Sequence, residues 1–376
     1  MSERCFFEFA GEKFAVYAGT GVNLKAVMVF LTPSFKMIDT LSDVTCTLTL
    51  NINKFATSWV DDEKPWRMPP VLNVDLDDNG GGLRIINYSA EEKTIYREPE
   101  KDSAGVLIEI NDDNRKWNVT ISQEGELNNK TFARTIKQLV GYCANKKNAQ
   151  VIHASCAVID DTSYVFFGPR GSGKSSFLFR CCTDLKADFK SDDLLVSWIE
   201  GENINLSGWP RRMGITLSAF DDRIATGLKI DTLRRKQHLV DNWVNNIGQH
   251  CPPESRKRIL FDVDEFMHFF NVNYRESTGK LVFIMLNYLD KKDALDIYPL
   301  NSIHDRLLFT NPNQERHFTD YLNMSPSPLV PGRKHSFEKL TSNNNLFSLQ
   351  YGSDVFSDFY NSWQRIENEI KKYAPE

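Results

Sequence analysis

The sequence predicts an α/β chain in which a β-rich N-terminal domain, residues 1–127, precedes a larger α/β domain, residues 128–376. Three observations carry this reading. Short runs alternate apolar and polar residues between turn clusters as far as residue 121, the signature of half-buried strands. Near residue 130 the apolar spacing changes to that of a helix. A continuous apolar run then enters a glycine-rich turn and leaves it as a second helix, an order built for α/β layers. A chain of 376 residues with 41 % hydrophobic content can bury its own core without staples, and its length fits roughly two to three domains.

The elements follow in order. "RCFFEFAGEKFAVYAG" predicts two strands around Gly11, and "VTCTLTLNI", "GVLIEIN" and "KWNVTIS" predict three more, with "DDNGGG" as a turn cluster. This N-terminal part has no Cys, His, Asp or Glu cluster at ligand spacing, so it reads as a packing or substrate-docking module. In "GELNNKTFARTIKQLVGYCANKK" the residues Phe132, Ile136, Leu139, Val140 and Cys143 share one helical face, and the domain boundary is placed just before it. "QVIHASCAVI" and "SYVFFG" are apolar strand runs separated by "DDTS".

Beyond the glycine turn, "ADFKSDDLLVSWIE" places an acidic pair at the start of a strand, and "NINLSGWPRRMGITL" places paired arginines beside a glycine. "RILFDVDEF" and "KLVFIMLNYL" continue the alternation of strand and helix. A C-terminal amphipathic helix opened by Ser353 is expected to bring Val355, Phe356, Phe359, Tyr360, Trp363, Ile366 and Ile370 onto one face. The Pro/Ser-rich stretch at 323–336 reads as an exposed loop, and there is no internal repeat.

Charge and cysteine usage narrow the partners. The net charge of −5 is spread along the chain without a basic block, which argues against nucleic acid or an anionic membrane as the main partner. The seven cysteines lack a C-x-x-C spacing, so neither a disulfide framework nor a zinc site is expected. "MSERCFFEF" is too charged for a signal peptide, and no apolar run spans a bilayer. A reduced, cytoplasmic setting is expected, in which the sequons at Asn118 and Asn129 carry no information. A homo-oligomer is neither implied nor excluded.

"VFFGPRGSGKSSFLFRCC" holds the chemistry. Gly168, Gly173, Lys174 and Ser175 meet the eight-residue phosphate-loop spacing, with Pro169, Arg170, Gly171 and Ser172 between them and Ser176 just beyond. Backbone N–H groups freed by glycine converge on phosphate oxygens, and the helix N-terminus adds a positive dipole end. Lys174 would reach the terminal phosphates, and Ser175 would offer a hydroxyl to Mg²⁺. Asp192 and Asp193 follow about eighteen residues after Lys174; one could serve Mg²⁺, with Asp192 the candidate beside Ser175, and the other could accept the proton of an attacking hydroxyl. The sequence leaves the division of those two jobs open. His153 lies in an apolar run where a satisfied core role competes with catalysis. Arg211 and Arg212 could stabilise charge on a transferring phosphoryl group.

The order "VIHAS", "GPRGSGKSS", "SDD", "RRMGI" over roughly residues 129–220 resembles the HPr kinase/phosphorylase group of P-loop kinases, whose shorter relatives include kinases of precursor peptides in ribosomal natural-product pathways. The resemblance implies a P-loop kinase domain using ATP and Mg²⁺. It gives His153 a place near the phosphates, and it gives Asp192 and Asp193 the metal and acceptor-serine roles. Arg211, Gly214 and Ile215 match part of the family's arginine-glycine-isoleucine signature. Two positions depart from the pattern: Ser176 stands where HPr kinases usually have Glu, and Trp209 stands where the signature begins with a carboxylate. These losses count against the reverse, phosphorolytic reaction and against HPr as substrate.

The function expected is Mg²⁺-dependent transfer of the γ-phosphoryl group of ATP to a hydroxyl, on Ser or Thr of a peptide or protein acceptor such as a precursor peptide. A nucleotide-hydrolysing switch and a small-molecule kinase are the alternatives. The choice between ATP and GTP is not made by any residue in the sequence.

Overall fold

The computed structural model describes residues 3–39, 43–53, 83–88, 93–97, 105–111, 115–122, 128–147, 149–216, 219, 258–301 and 345–373. The stretch 323–336, the turn cluster at 77–82 and Cys251 lie outside the described residues. The protein is α/β, and its described residues fall into two compact units that divide in sequence after position 148.

The first unit carries strands β1 (Arg4–Phe9), β2 (Glu12–Ala18), β3 (Lys36–Met37), β4 (Cys46–Ile52), β5 (Leu83–Tyr88), β6 (Lys93–Arg97), β7 (Val106–Asn111) and β8 (Lys116–Ile121), with helices α1 (Leu24–Met28) and α2 (Asn128–Lys146). The described strands form one sheet in the order β3-β1-β2-β4-β8-β7-β6-β5. Its centre is parallel, β2 with β4 and β4 with β8, and the other pairings are antiparallel. Phe7 stacks on both Phe14 and Phe35, with centroid distances of 4.9 and 5.0 Å.

Helix α2 buries the face read from its spacing: Phe132, Ile136, Leu139 and Val140 are fully buried and Cys143 nearly so. It falls in the first compact unit, which extends to position 148. The reason is packing. The Cys143 thiol lies 3.5 Å from that of Cys46 on β4, so the helix completes the N-terminal core.

The second unit contains β9 (Gln150–Ile152), β10 (Ala154–Ile159), β11 (Thr162–Phe167), α3 (Lys174–Asp184), β12 (Asp188–Ser191), β13 (Leu195–Glu200), β14 (Asn203–Gly208), β15 (Met213–Thr216), β16 (Arg258–Phe261), α4 (Val263–Phe270), β17 (Lys280–Tyr288), β18 (Leu295–Pro299), β19 (Leu346–Tyr351), a 3₁₀ turn (Ser353–Phe356) and α5 (Phe359–Tyr373). The main sheet runs β12-β10-β11-β17-β19-β18, beside a β14-β13-β9 sheet and a β15-β16 pair. β11, β17 and β19 are parallel neighbours at its centre.

Alternation along these strands makes two cores. Tyr164, Phe166, Ile284, Leu286, Phe347 and Leu349 pack with Phe177, Phe266, Phe359 and Trp363 of the helices. Val165, Phe167, Phe283 and Leu346 point the other way, toward Ile152, Leu195 and Leu206 of the small sheet. The C-terminal face is correct at Val355, Phe359, Trp363, Ile366 and Ile370, which are buried, but Tyr360 is 57 % exposed. Phe359, Trp363, Ile366 and Ile370 form one narrow stripe of α5, and Tyr360, about 100° round the helix from Phe359, stands off it.

Candidate functional site

The run "QVIHASCAVI" is two strands. β9 pairs with β13 in the small sheet, β10 with β11 and β12 in the main one, and His153 occupies the step between them. That step turns a residue of an apolar run outward: the His153 side chain is 41 % exposed.

β11 ends at the glycine loop, and α3 starts at Lys174. Two glycines are required there. Gly168 has φ +140 and Gly173 φ +84, and a Cβ at Gly173 would lie 2.1 Å from the Tyr351 hydroxyl. Tyr351 donates a hydrogen bond of 2.8 Å to the carbonyl of Ser172, tying β19 to the loop from beneath. The first turn of α3 has no side-chain cap and no acidic residue, which leaves its N–H groups and dipole available to an anion. Pro169, Arg170 and Gly171 are exposed, Ser172 is buried, and Ser176 is half-buried. The buried Lys174 ammonium donates to the carbonyls of Gly168 at 3.0 Å and Pro169 at 3.2 Å.

The acidic pair lies between β12 and β13 rather than at the start of a strand. The two residues part company in that turn. Asp192 is 5 % exposed, and its Oδ1 accepts from Ser175 Oγ at 2.8 Å and from Ser155 Oγ at 2.7 Å. Asp193 takes the left-handed backbone, φ +70, and faces the other way. His153 Nε2 donates to its Oδ1 at 2.9 Å, and Arg211 Nη1 pairs with its Oδ2 at 3.0 Å. Burial alone would raise the Asp193 carboxyl; the hydrogen bond from His153 and the charges of Arg211 and Lys174 outweigh it and hold the group below its ordinary value.

The segment before the pair is braced from within. Lys190 is fully buried and donates to the carbonyls of Leu206, Arg275 and Glu276 at 3.3, 3.0 and 2.9 Å. Burial pushes its pKa down to about 8. Ser191 Oγ also donates to the carbonyl of Leu194, closing the turn that carries the two carboxylates.

The structure thus gathers Lys174, Ser175, Asp192, Asp193, His153 and Arg211 at the loop and the adjoining turn. Arg212 is exposed next to Arg211, the arginine that meets Asp193. Trp209 is 1 % exposed within the core. Two contributors escape the sequence reading. Ser155 has a faint signal, standing two residues after His153 in the same run, whereas Tyr351 sits far along the chain with none.

Ser175 Oγ and Asp192 Oδ1 are hard oxygen donors side by side, the class that Mg²⁺ takes while keeping water and phosphate oxygens for the rest of its shell. Among the described residues no group of three or more His, Cys, Asp or Glu is placed to hold a metal. No protein-family model matches the chain, and no curated protein matches it.

Proposed function

We propose that the second unit is a P-loop kinase domain of the HPr kinase type that transfers the γ-phosphoryl group of ATP to a serine or threonine hydroxyl of a peptide or protein. The observation that carries this reading is the division of the acidic pair: one carboxylate is buried against the loop serine, and its neighbour is turned outward between a histidine and an arginine. Phosphoryl transfer to a hydroxyl uses a carboxylate at the metal and another at the acceptor, and this turn offers the two environments side by side.

Each residue has a task that its surroundings suit. The loop's N–H groups and Lys174 bind the β- and γ-phosphates. Ser175 and Asp192 are the residues that would hold Mg²⁺. When bound, Mg²⁺ supplies charge neutralisation across the phosphates. Asp193 receives the acceptor hydroxyl. The acceptor oxygen forms a bond to the γ-phosphorus as the bond to the β–γ bridging oxygen breaks, ADP leaves, and the hydroxyl proton passes to Asp193.

A carboxylate held ionised by His153 and Arg211 is a weak base. It is adequate here, because a loose transition state asks for orientation of the nucleophile more than for early deprotonation. Arg211 and Arg212 bring positive charge to the equatorial oxygens. The first unit is the proposed docking module for an extended peptide, through main-chain hydrogen bonds at a strand edge.

The test is ATP consumption by the full chain with γ-labelled ATP, with and without candidate peptides and free serine. Label transferred to a peptide, with little turnover in its absence, is the expected result. Steady hydrolysis that no acceptor accelerates would identify a nucleotide-driven switch instead. Equal labelling of free serine and peptide would point to a small-molecule kinase.

A further inference from the structure

Ser155 lies on β10, and its fully buried hydroxyl donates to Asp192 at 2.7 Å. Strand register puts it there. β10 and β12 run antiparallel with Cys156 opposite Ser191, so one step further brings Ser155 opposite Asp192. The same carboxylate oxygen accepts from Ser175. Two serines from different elements therefore converge on a single oxygen of a buried carboxylate.

That convergence has a chemical consequence. A buried oxygen needs donors in place of the water it has lost, and two donors on one oxygen also fix the direction in which its carboxylate points. Ser155 is a donor that no nucleotide reaches, since it comes from the strand beneath the helix start. If Ser175 turns its oxygen toward a cation, its own proton must point at Asp192, and Ser155 fixes the carboxylate that receives it. We propose that Ser155 is a positioning residue that sets the Mg²⁺ affinity of the nucleotide site by orienting the Asp192 carboxylate. This rests on the ATP-kinase reading of the same site. Residues in this supporting position typically govern metal affinity by about 10- to 100-fold.

The experiment uses the full chain, a fluorescent ATP analogue and a Mg²⁺ titration, with thermal unfolding as a check on each variant. Ser155→Ala is expected to raise the Mg²⁺ concentration for half-maximal nucleotide binding by about tenfold, and to leave metal-free nucleotide affinity unchanged. Ser155→Cys, which keeps the volume and donates weakly, should fall between, and it carries the test if the alanine variant does not fold. In the Asp192→Asn background, Ser155→Ala should add nothing. An unshifted Mg²⁺ midpoint in a folded Ser155→Ala protein, or full additivity with Asp192→Asn, overturns the proposal while the kinase reading stands. Failure of the unmodified protein to bind nucleotide in a Mg²⁺-dependent way overturns both.

Discussion

Tyr351, at the end of β19, donates to the carbonyl of Ser172 while its hydroxyl fills the space that a side chain at position 173 would need. The floor of the glycine loop is therefore built by a strand far away in sequence. Tyr351→Phe keeps the ring against Phe177 and loses only this bond. It should cost about 1 kcal/mol of stability and weaken nucleotide binding several-fold, read by urea unfolding and by titration. Gly173→Ala should be far worse, because it meets both the hydroxyl and a left-handed backbone.

Lys174→Ala should reduce phosphoryl transfer by about a hundredfold or more and leave a folded protein. Its ammonium rests on two loop carbonyls rather than inside an apolar core. Circular dichroism beside a transfer assay checks both halves. Near-normal turnover in the folded variant would remove the phosphate-loop assignment.

Asp192→Asn and Asp193→Asn should fail differently. The first disturbs the carboxylate shared by Ser155 and Ser175, so Mg²⁺-dependent ATP binding should weaken. The second leaves that arrangement alone and should bind MgATP normally while losing transfer. Calorimetry paired with a γ-label assay separates them, and silence of both substitutions would reduce the pair to a structural turn.

The buried thiols predict an alkaline limit. Burial raises Cys156 to about 12 from the ordinary 9.0, and burial likewise raises Cys181 and Cys182. As pH passes about 9, the unfolded chain releases these protons and the folded chain keeps them. Their contribution is thus whole below that pH and is lost as pH rises toward about 12. Lys190, held down to about 8, works the other way between about pH 8 and 10.5, so urea midpoints should fall only above roughly pH 9.5, where the three thiols outweigh it, and less so in Cys156→Ala. The three thiols should also resist iodoacetamide at pH near 8 until the protein unfolds.

Local pattern made much of this architecture legible. The helical face of Phe132, Ile136, Leu139, Val140 and Cys143 is buried as its spacing requires, and the apolar run, glycine turn and helix around Lys174 stand in that order. What stayed hidden depends on tertiary choice. Nothing in "QVIHASCAVI" marks His153 as the step between two sheets, because both strands it separates are buried and equally apolar. Tyr360 reads in the sequence as part of the C-terminal face, but the buried stripe of α5 is narrower, Phe359, Trp363, Ile366 and Ile370, and Tyr360 lies beside it. The carboxylate pair reads as two equal residues, and only the positive φ of Asp193 separates their environments.

The central parallel strands set a timetable for synthesis. Thr162 of β11 lies beside Lys280 of β17, and Phe283 of β17 beside Leu346 of β19. A ribosome adding ~5–20 residues per second delivers β17 on the order of 5–20 s after β11. Through that interval the strand leading into the glycine loop has its hairpin partner β10 on one edge and nothing of its parallel neighbour on the other. Val165, Phe166 and Phe167 must wait, unburied, for partners still inside the ribosome or not yet made. The nascent chain is then an aggregation-prone client, so soluble yield on expression should rise with slower translation at lower temperature and with holdase chaperones, even though the finished sheet hides every one of these residues.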